Sequence, residues 1–155
     1  MRAVIQRVYS ARVIADGNPS GEIGRGLYIL LGVMDGDTEA DAVALAEKIS
    51  KLRIFTDEAG KMNLSVKDIS GEVLVVSNFT LAANYAHGNR PDFLFAAAPD
   101  RANQLYGHFM SEIAARLGRC ESGVFGADMR TEMSTDGPVT IVMDSNILLK
   151  KGVAR

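Results

Sequence analysis

The chain has 155 residues, of which 47% are hydrophobic and 23% are charged, and its formal net charge is −2. A chain of this length and composition corresponds to one globular domain that can bury a core without disulfides or metals. Its weakly negative charge excludes the large positive excess that is usual for a sequence-blind nucleic-acid binder, so any nucleic acid would have to be bound locally.

The first predicted elements are strands. Residues 2–15 alternate in their middle and are rich in β-branched side chains, which predicts a strand. Residues 16–19 (Asp-Gly-Asn-Pro) have the chemistry of a turn, and residues 20–23 predict a short return strand. The Gly-Arg-Gly segment 24–26 ends that strand, and the apolar run 27–33 predicts a buried one.

A helix is predicted next. Thr38 followed by Asp41 resembles a capping box in which Asp replaces the usual Glu. After this helix we expect a short extended segment at 54–55 and a turn around 57–60. The apolar face of the helix is predicted from side chains at helical spacing: Ala42, Leu45, Ile49 and Leu52.

The second half of the chain predicts a strand at 71–77, a loop at 81–99 and a second helix. Asp100 is the expected N-cap of this helix and Gly118 its C-cap. Its apolar stripe consists of residues at helical spacing: Ala102, Leu105, Phe109, Ile113 and Leu117. Three further strands are expected at 119–125, 129–134 and 139–143.

This order of elements indicates a single α/β domain in which two helices pack on a mixed sheet. We place the domain at residues 1–145 and a short basic tail at 146–155. The glycine-rich segment 21–26 does not open a helix after a strand, as a nucleotide-binding fingerprint requires, and is interpreted as a hairpin turn.

Targeting and membrane-spanning segments are not predicted. Residues 1–7 lack the uninterrupted apolar stretch of a signal peptide, and the longest apolar run, 27–34, is far too short to cross a bilayer. Cys120 is the only cysteine, which excludes an intrachain disulfide and a multi-cysteine zinc site and fits a reducing compartment. We therefore expect a cytoplasmic protein without a membrane partner.

Clusters of metal-binding or basic side chains are also lacking. The only histidines, His87 and His108, have no metal-ligand spacing, so neither a metal nor a cofactor is expected. His87 is a minor candidate for a general base, whereas His108 on the second helix is more typical of a structural role. The cations that could contact a nucleic acid are scattered and are more typical of a solvated surface: Arg2, Arg7, Arg53, Lys61, Arg90, Lys150 and Lys151.

Three hydroxyls could act as nucleophiles, those of Ser77, Thr80 and Ser134, but none lies in the G-x-S-x-G motif of a hydrolase elbow. Thr80 follows a buried strand, and strand ends in α/β proteins are where ligands commonly bind. The alternative for Thr80 is a hydroxyl that bonds locally to the backbone, because no base partner is evident.

Residues 135–140 (Thr-Asp-Gly-Pro-Val-Thr) place a Gly-Pro pair between two predicted strands. Such a pair is normally a turn, but it can also be a cis peptide, because proline lowers the preference for trans. Gly137 has no Cβ, so this backbone can approach a ligand closely. The residues alone leave both conformations open.

Several of these segments resemble the D-aminoacyl-tRNA deacylase family. Residues 77–81 (Ser-Asn-Phe-Thr-Leu) are similar to its Ser-Gln-x-x-Leu motif, and residues 135–140 to its Asn-x-Gly-Pro-x-Thr motif. Asn78 and Thr135 depart from the Gln and Asn of those motifs. Other matching segments extend the resemblance over nearly the whole chain up to Ser145: 1–8, 21–24, 53–55, 60–64 and 125–129.

The resemblance implies hydrolysis of the ester that joins a D-amino acid to the 3′ end of tRNA, with no DNA partner. It also implies a homodimer with a barrel-like core of mixed sheets, in which a cis Gly137-Pro138 peptide enters the active site of the other subunit. A wall of backbone there would clash with an L side chain, which is selection by exclusion. Glycine, which is achiral, would not be excluded.

The resemblance further implies that the backbone N–H groups around Phe79 and Thr80 stabilise the oxyanion, while a ribose hydroxyl assists the attacking water. The catalytic candidates are therefore Thr80, Phe79 and Ser77. The substrate-binding candidates are Asn78, Gly137, Pro138, Met129 and Thr135.

Two alternatives remain. One is an editing hydrolase of the same architecture that acts on a different aminoacyl ester. The other is a dimeric binding module without catalysis, which the absence of a triad, metal motif or cofactor loop favours when the residues are considered without the resemblance. Turnover of charged tRNA separates the module from both enzymes.

Overall fold

The computed structural model describes residues 1–149, which form an α/β domain. The strands are β1 Arg2–Ala15, β2 Asn18–Ile23, β3 Gly26–Gly32, β4 Phe55–Thr56, β5 Met62–Leu64, β6 Glu72–Ser77, β7 Glu121–Ser122 and β8 Met129–Asp144. The helices are α1 Glu39–Ser50, α2 Pro99–Leu117 and the short α3 Ser145–Leu148, and a 3₁₀ turn spans Phe79–Ala82.

The main sheet is organised around β1. One edge of β1 pairs antiparallel with β3 along residues 2–8 and then with β2 along residues 11–15. Its other edge pairs antiparallel with β8 along the whole strand. β3 and β6 are parallel, as are β6 and β7, so the six-stranded sheet is mixed, as predicted. The sheet curls into a nearly closed, barrel-like form.

Two apolar clusters bury the two faces of this sheet. Successive residues of a strand point to opposite faces, so Leu27 and Ile29 of β3 face one cluster while Tyr28 faces the other. Burial on both faces explains why β3 and β6 are continuously apolar in sequence. The larger cluster includes the predicted faces of both helices: Ala42, Leu45, Ile49, Leu105, Phe109 and Ile113.

The N-terminus of α1 confirms the predicted capping box. The Asp41 carboxylate accepts hydrogen bonds at 2.9 Å from both the backbone N–H and the hydroxyl of Thr38. Asp41 is fully buried, and it also accepts a hydrogen bond at 2.7 Å from the Ser145 hydroxyl. The Ser145 hydroxyl in turn accepts one at 2.7 Å from the Met1 ammonium group, so α1, α3 and the start of β1 meet in one polar network.

The start of α2 differs from the prediction. Asp100 is not the N-cap, because the helix begins at Pro99 with Ala98 as its N-cap. Proline is well tolerated in the first turn, where its missing N–H would have no partner. The predicted C-cap is confirmed at Gly118, whose N–H donates to the Ala114 carbonyl at 2.7 Å.

The strand predictions in the second half need two corrections. Of residues 119–125, only Glu121–Ser122 forms a strand. The segments 129–134 and 139–143 are extended as predicted, but both belong to one strand, β8, and pair with β1, while residues 136–139 between them have no partner in the ladder. The ladder accommodates the Gly-Pro segment through register shifts on either side of Val8, as β-bulges do.

The proposed tail begins inside α3, and its basic residues Lys150 and Lys151 lie outside the described residues. Within residues 1–149, no helix combines the length and the apolar character that crossing a membrane requires.

The glycine-rich segment 21–26 contains the predicted break between β2 and β3, and it also has a packing role. A Cβ built on Gly26 would lie 1.9 Å from the Glu72 carbonyl oxygen, across the parallel pairing of β3 with β6. A Cβ on Gly24 would meet only the flexible end of the Glu72 side chain, at 3.4 Å. Of these two positions, Gly26 is the one that requires glycine for the close approach of two strands.

We expect Gly26→Ala to lower the free energy of unfolding by about 1–3 kcal/mol or more, because the strands must separate to admit the methyl group. Gly24→Ala is the matched control and should stay within about 0.5 kcal/mol of the wild type. Urea unfolding followed by circular dichroism measures both. Equal stability of the two variants would contradict the close approach at Gly26.

Candidate active site

A cavity of about 740 Å³ opens at the carboxyl ends of the parallel strands β3 and β6. Its size lies in the range of small-molecule sites, and its position is the one where open α/β sheets commonly bind ligands. The segment 93–98, the first turns of α2 and the segment 125–129 complete its walls. The cavity therefore forms where three further parts of the chain converge on two strand ends.

The cavity brings together some of the predicted site residues but not all. Ser77, Asn78, Phe79 and Met129 line it. Thr80 is exposed and follows directly in the 3₁₀ turn, but it is not part of the lining. The remaining candidates belong to β8 and do not line this cavity of the same chain within the described part: Thr135, Gly137 and Pro138.

Asn78 organises the strand end that enters the cavity. Its backbone N–H donates to the Leu31 carbonyl at 2.8 Å, which fixes it beside β3. Its side-chain oxygen accepts from the Thr80 N–H at 3.2 Å and, through a short hydrogen bond, from the Thr80 hydroxyl. Asn78 is therefore the N-cap of the 3₁₀ turn.

Both polar groups of Thr80 that could meet a substrate donate to Asn78 within the turn. Its hydroxyl donates to an amide oxygen, which is not a base that could activate a nucleophile. The Thr80 N–H is occupied by the same oxygen. Phe79 is the first residue of the turn, and the first N–H groups of a helical turn have no acceptor within it. The Phe79 N–H is thus the donor that the turn leaves for a ligand.

Aromatic rings shape the outer and inner parts of the cavity. At the outer part, Phe79 is 60% exposed and packs edge-on against Phe93, with ring centroids 5.0 Å apart. At the inner part, Tyr106 packs against Phe125 at 5.9 Å and donates its hydroxyl to the Val75 carbonyl at 2.8 Å. Burial raises the pKa of Tyr106, so this hydroxyl stays neutral and holds the wall in place.

Other groups with acid–base or nucleophilic chemistry lie away from the cavity. Burial raises the pKa of the Cys120 thiol to about 12, with a further contribution from Glu121, so it is not a thiolate near neutral pH. His87 is exposed on the loop before Pro91, and His108 is half-buried on α2. Neither histidine lines the cavity.

The Gly137-Pro138 peptide is cis, as the family resemblance implies. Both residues are exposed in the single chain, on the part of β8 that the ladder with β1 skips, between the pairs Val8–Thr135 and Gln6–Thr140. Gly137 has φ of +131°, and a Cβ there would lie 2.6 Å from the Val139 nitrogen. This position therefore requires glycine.

A buried ion pair anchors this peptide and was missed in the sequence. Arg7 was expected among surface cations, but it is buried, so that expectation is wrong. Its guanidinium lies 3.0 Å from the Asp136 carboxylate, and it also donates to the carbonyls of Asp136 at 3.3 Å and Ile54 at 2.5 Å. The sequence contains one signal for this ion pair. Arg7 follows the same alternation in β1 as the buried residues Ala3 and Ile5. An arginine at such a core-facing position needs a charged partner.

The walls contributed by Phe93, Tyr106 and Phe125 were also missed as site residues. Tyr106 lies on the expected second helix, one residue from the apolar stripe. Phe93 comes from the predicted loop and Phe125 from the end of a predicted strand, and only the tertiary structure places them at one cavity.

Known proteins resemble this chain over nearly its whole length. The family model described as D-Tyr-tRNA(Tyr) deacylase matches residues 4–144. A protein of Cereibacter sphaeroides named D-aminoacyl-tRNA deacylase is 57% identical over 145 residues, which are 94% of this chain and all of that one. A relative of the same name from Caldicellulosiruptor saccharolyticus is 54% identical over 94% of this chain and 97% of its own.

Solved structures agree as well. The c-Myc DNA unwinding element binding protein has a TM-score of 0.87 and 39% identity, covering 93% of this chain and 98% of that one. A structure described as a probable eukaryotic D-amino acid tRNA deacylase has a TM-score of 0.80 at 17% identity, over 92% of this chain and 97% of that one, and it supports the fold alone. On these matches, the chain belongs to the D-Tyr-tRNA(Tyr) deacylase family of hydrolytic enzymes.

Proposed function

We propose that this chain hydrolyses the ester bond of D-aminoacyl-tRNA in the cytoplasm, as a homodimer, and releases free tRNA and the D-amino acid. The observation that carries this proposal is the cavity at the ends of β3 and β6, which offers a backbone donor at Phe79 but no activated side-chain nucleophile. The names of the relatives support the substrate class.

The chemistry then depends on positioning rather than on a catalytic side chain. Water adds to the ester carbonyl carbon, and the developing oxyanion is stabilised by the Phe79 N–H. The bond from that carbon to the ribose oxygen breaks, and the ribose oxygen takes up the proton that the water loses. The neighbouring ribose hydroxyl assists this transfer, so the enzyme gains rate mainly by orienting the reactants.

Homodimer formation is supported by the free edge of β8. Its outer edge has no strand partner among residues 1–149, although β8 is one of the longest strands. Long unpaired edges are normally covered in native proteins. Exposed apolar side chains accompany this edge, including Val142 at 73% and Met133 at 36% exposure. A second copy that covers β8 would bury them.

The same dimer would carry Gly137 and Pro138 into the cavity of the partner subunit. Both are exposed, and the neighbouring Asp136 is fastened by Arg7, so the segment can present rigid backbone. A wall of backbone next to the substrate α-carbon would leave room for a D side chain and exclude an L side chain. It would not exclude glycine, so mischarged glycyl-tRNA is included in the proposed substrates.

We expect Thr80→Ala to keep kcat within about tenfold of the wild type, because it removes one local hydrogen bond worth about 1 kcal/mol. Thr80→Ser keeps the hydroxyl and serves as the matched variant. Single-turnover hydrolysis of D-tyrosyl-tRNA measures both. Complete loss in Thr80→Ala, with an intact fold and activity retained in Thr80→Ser, would instead identify Thr80 as a nucleophile.

Gly137→Val is expected to lower kcat/KM for D-tyrosyl-tRNA roughly 100-fold or more, because displaced backbone misplaces the substrate. Gly60→Val is a suitable control, since Gly60 also has positive φ but no atoms near its Cβ position. Circular dichroism and sedimentation establish that both variants are folded and show their oligomeric state. Unchanged hydrolysis by folded Gly137→Val would contradict the placement of this peptide at the substrate.

A comparison of three substrates separates the proposed function from the two alternatives, a different editing hydrolase and a binding module. The wild type should hydrolyse D-tyrosyl-tRNA and glycyl-tRNA. It should hydrolyse L-tyrosyl-tRNA at least about 100-fold more slowly, because the backbone wall clashes with the L side chain. Preference for an L-aminoacyl ester would identify a different editing hydrolase. Binding of all three without turnover would identify a binding module.

A further inference from the structure

The cavity cannot contain the whole of the proposed substrate. Its volume of about 740 Å³ is that of a small-molecule site, so it can hold the amino acid and the terminal nucleoside. The nucleotides that precede this nucleoside are single-stranded and must leave across the edge of the cavity. The protein surface next to the opening is therefore where further RNA contacts are to be sought.

One exposed loop rises from this edge. We call residues 84–92 the rim loop. Asn84 and Asp92 close its base through backbone hydrogen bonds of 2.9 and 3.0 Å and a side-chain hydrogen bond of 3.0 Å. Asp92 is followed directly by Phe93, which lines the cavity and packs against Phe79. The rim loop is therefore anchored at the outer aromatic pair of the cavity.

The rim loop exposes groups that suit single-stranded RNA. All residues from 85 to 91 are exposed, and Tyr85 is 80% exposed. Arg90 provides a positive charge without an ion pair among the residues that the structure describes. Single-stranded nucleic acids are typically bound by aromatic rings on which bases stack, together with cations that meet the phosphates.

Charge around the loop is consistent with a phosphate partner. Asp92 is the only acidic residue between positions 79 and 99. Its carboxylate is occupied at the base of the loop, where it accepts hydrogen bonds from the Asn84 side chain at 3.0 Å and the Leu94 N–H at 3.2 Å. The exposed part of the loop therefore carries a net positive charge, although the whole chain has a net charge of −2.

We propose that the rim loop binds the unpaired 3′ end of the tRNA, with Tyr85 stacking on a base and Arg90 contacting a phosphate. This inference rests on the proposed function and adds the part of the substrate that lies outside the cavity. The rim loop itself offers a protein partner little to bury apart from Tyr85, because residues 86–90 (Ala-His-Gly-Asn-Arg) carry no large apolar side chain. The strongly exposed apolar residues Leu94 and Phe95 lie beyond the loop.

The test compares two substrates of different length. D-tyrosyl-tRNA reaches the rim loop, whereas the ester of D-tyrosine with adenosine ends inside the cavity. Tyr85→Ala should raise KM about tenfold for the tRNA, the effect of losing one stacked base, with kcat unchanged. It should leave kcat/KM for the adenosine ester unchanged. Tyr85→Phe keeps the stacking ring and should restore KM for the tRNA.

Arg90 is tested through the dependence of KM on salt. Loss of one phosphate contact to a single strand should reduce the slope of log KM against log salt by roughly 0.7 in Arg90→Ala. Lys61→Ala is the matched control, because Lys61 is exposed in the β4–β5 turn and should leave the slope unchanged.

Several results would overturn the proposal. One is an equal effect of Tyr85→Ala on both substrates, or no effect on either. Another is a change in sedimentation of Tyr85→Ala without a change in KM for the tRNA, which would identify the loop as a contact between protein chains. If the wild type hydrolyses neither substrate, the proposed function fails. Binding of uncharged tRNA then decides whether the rim loop contacts RNA. Weaker binding by Tyr85→Ala supports the loop contact, and equal binding refutes it.

Discussion

The structure depends on the pairing of β1 along both of its edges. A single strand of 14 residues pairs with β2 and β3 on one side and with β8 on the other, so it connects the first and last parts of the chain. This pairing sets the position of the Gly137-Pro138 peptide, because β8 follows β1 through the bulges around Val8. The parallel pair β3–β6 extends from the same strand, and its carboxyl ends form the floor of the cavity.

Backbone groups, rather than reactive side chains, dominate both halves of the proposed site. In the cavity, Asn78 occupies the hydroxyl and N–H of Thr80, which leaves the Phe79 N–H as the donor. On β8, the Arg7–Asp136 ion pair holds a peptide whose glycine cannot be replaced without displacing Val139. Polar side chains here fix main-chain geometry, which is the property that a site relying on orientation needs.

One of the two departures from the family motifs can be understood in this way. Asn78 replaces the glutamine of the Ser-Gln-x-x-Leu motif, and its short side chain reaches the N–H two residues on, as in an Asx turn. Thr135 replaces an asparagine but is exposed and paired with Val8 in the ladder. Asn78 therefore supplies a cap for the 3₁₀ turn, while nothing in the single chain explains the second substitution.

Local chemistry was readable from the sequence by itself. Alternation in β1, the helical spacing in α1 and α2, the Thr38–Asp41 box and the Gly118 cap are set by neighbouring residues, and each was predicted. The motifs at 77–81 and 135–140 identified the family and the cis peptide. Pairing between distant segments was decided only by the tertiary structure. It aligned the two predicted strands at 129–134 and 139–143 on β1 as parts of one strand, buried Arg7 against Asp136, and brought Phe93 and Phe125 to one cavity, because partners far apart in the chain leave no periodic signal.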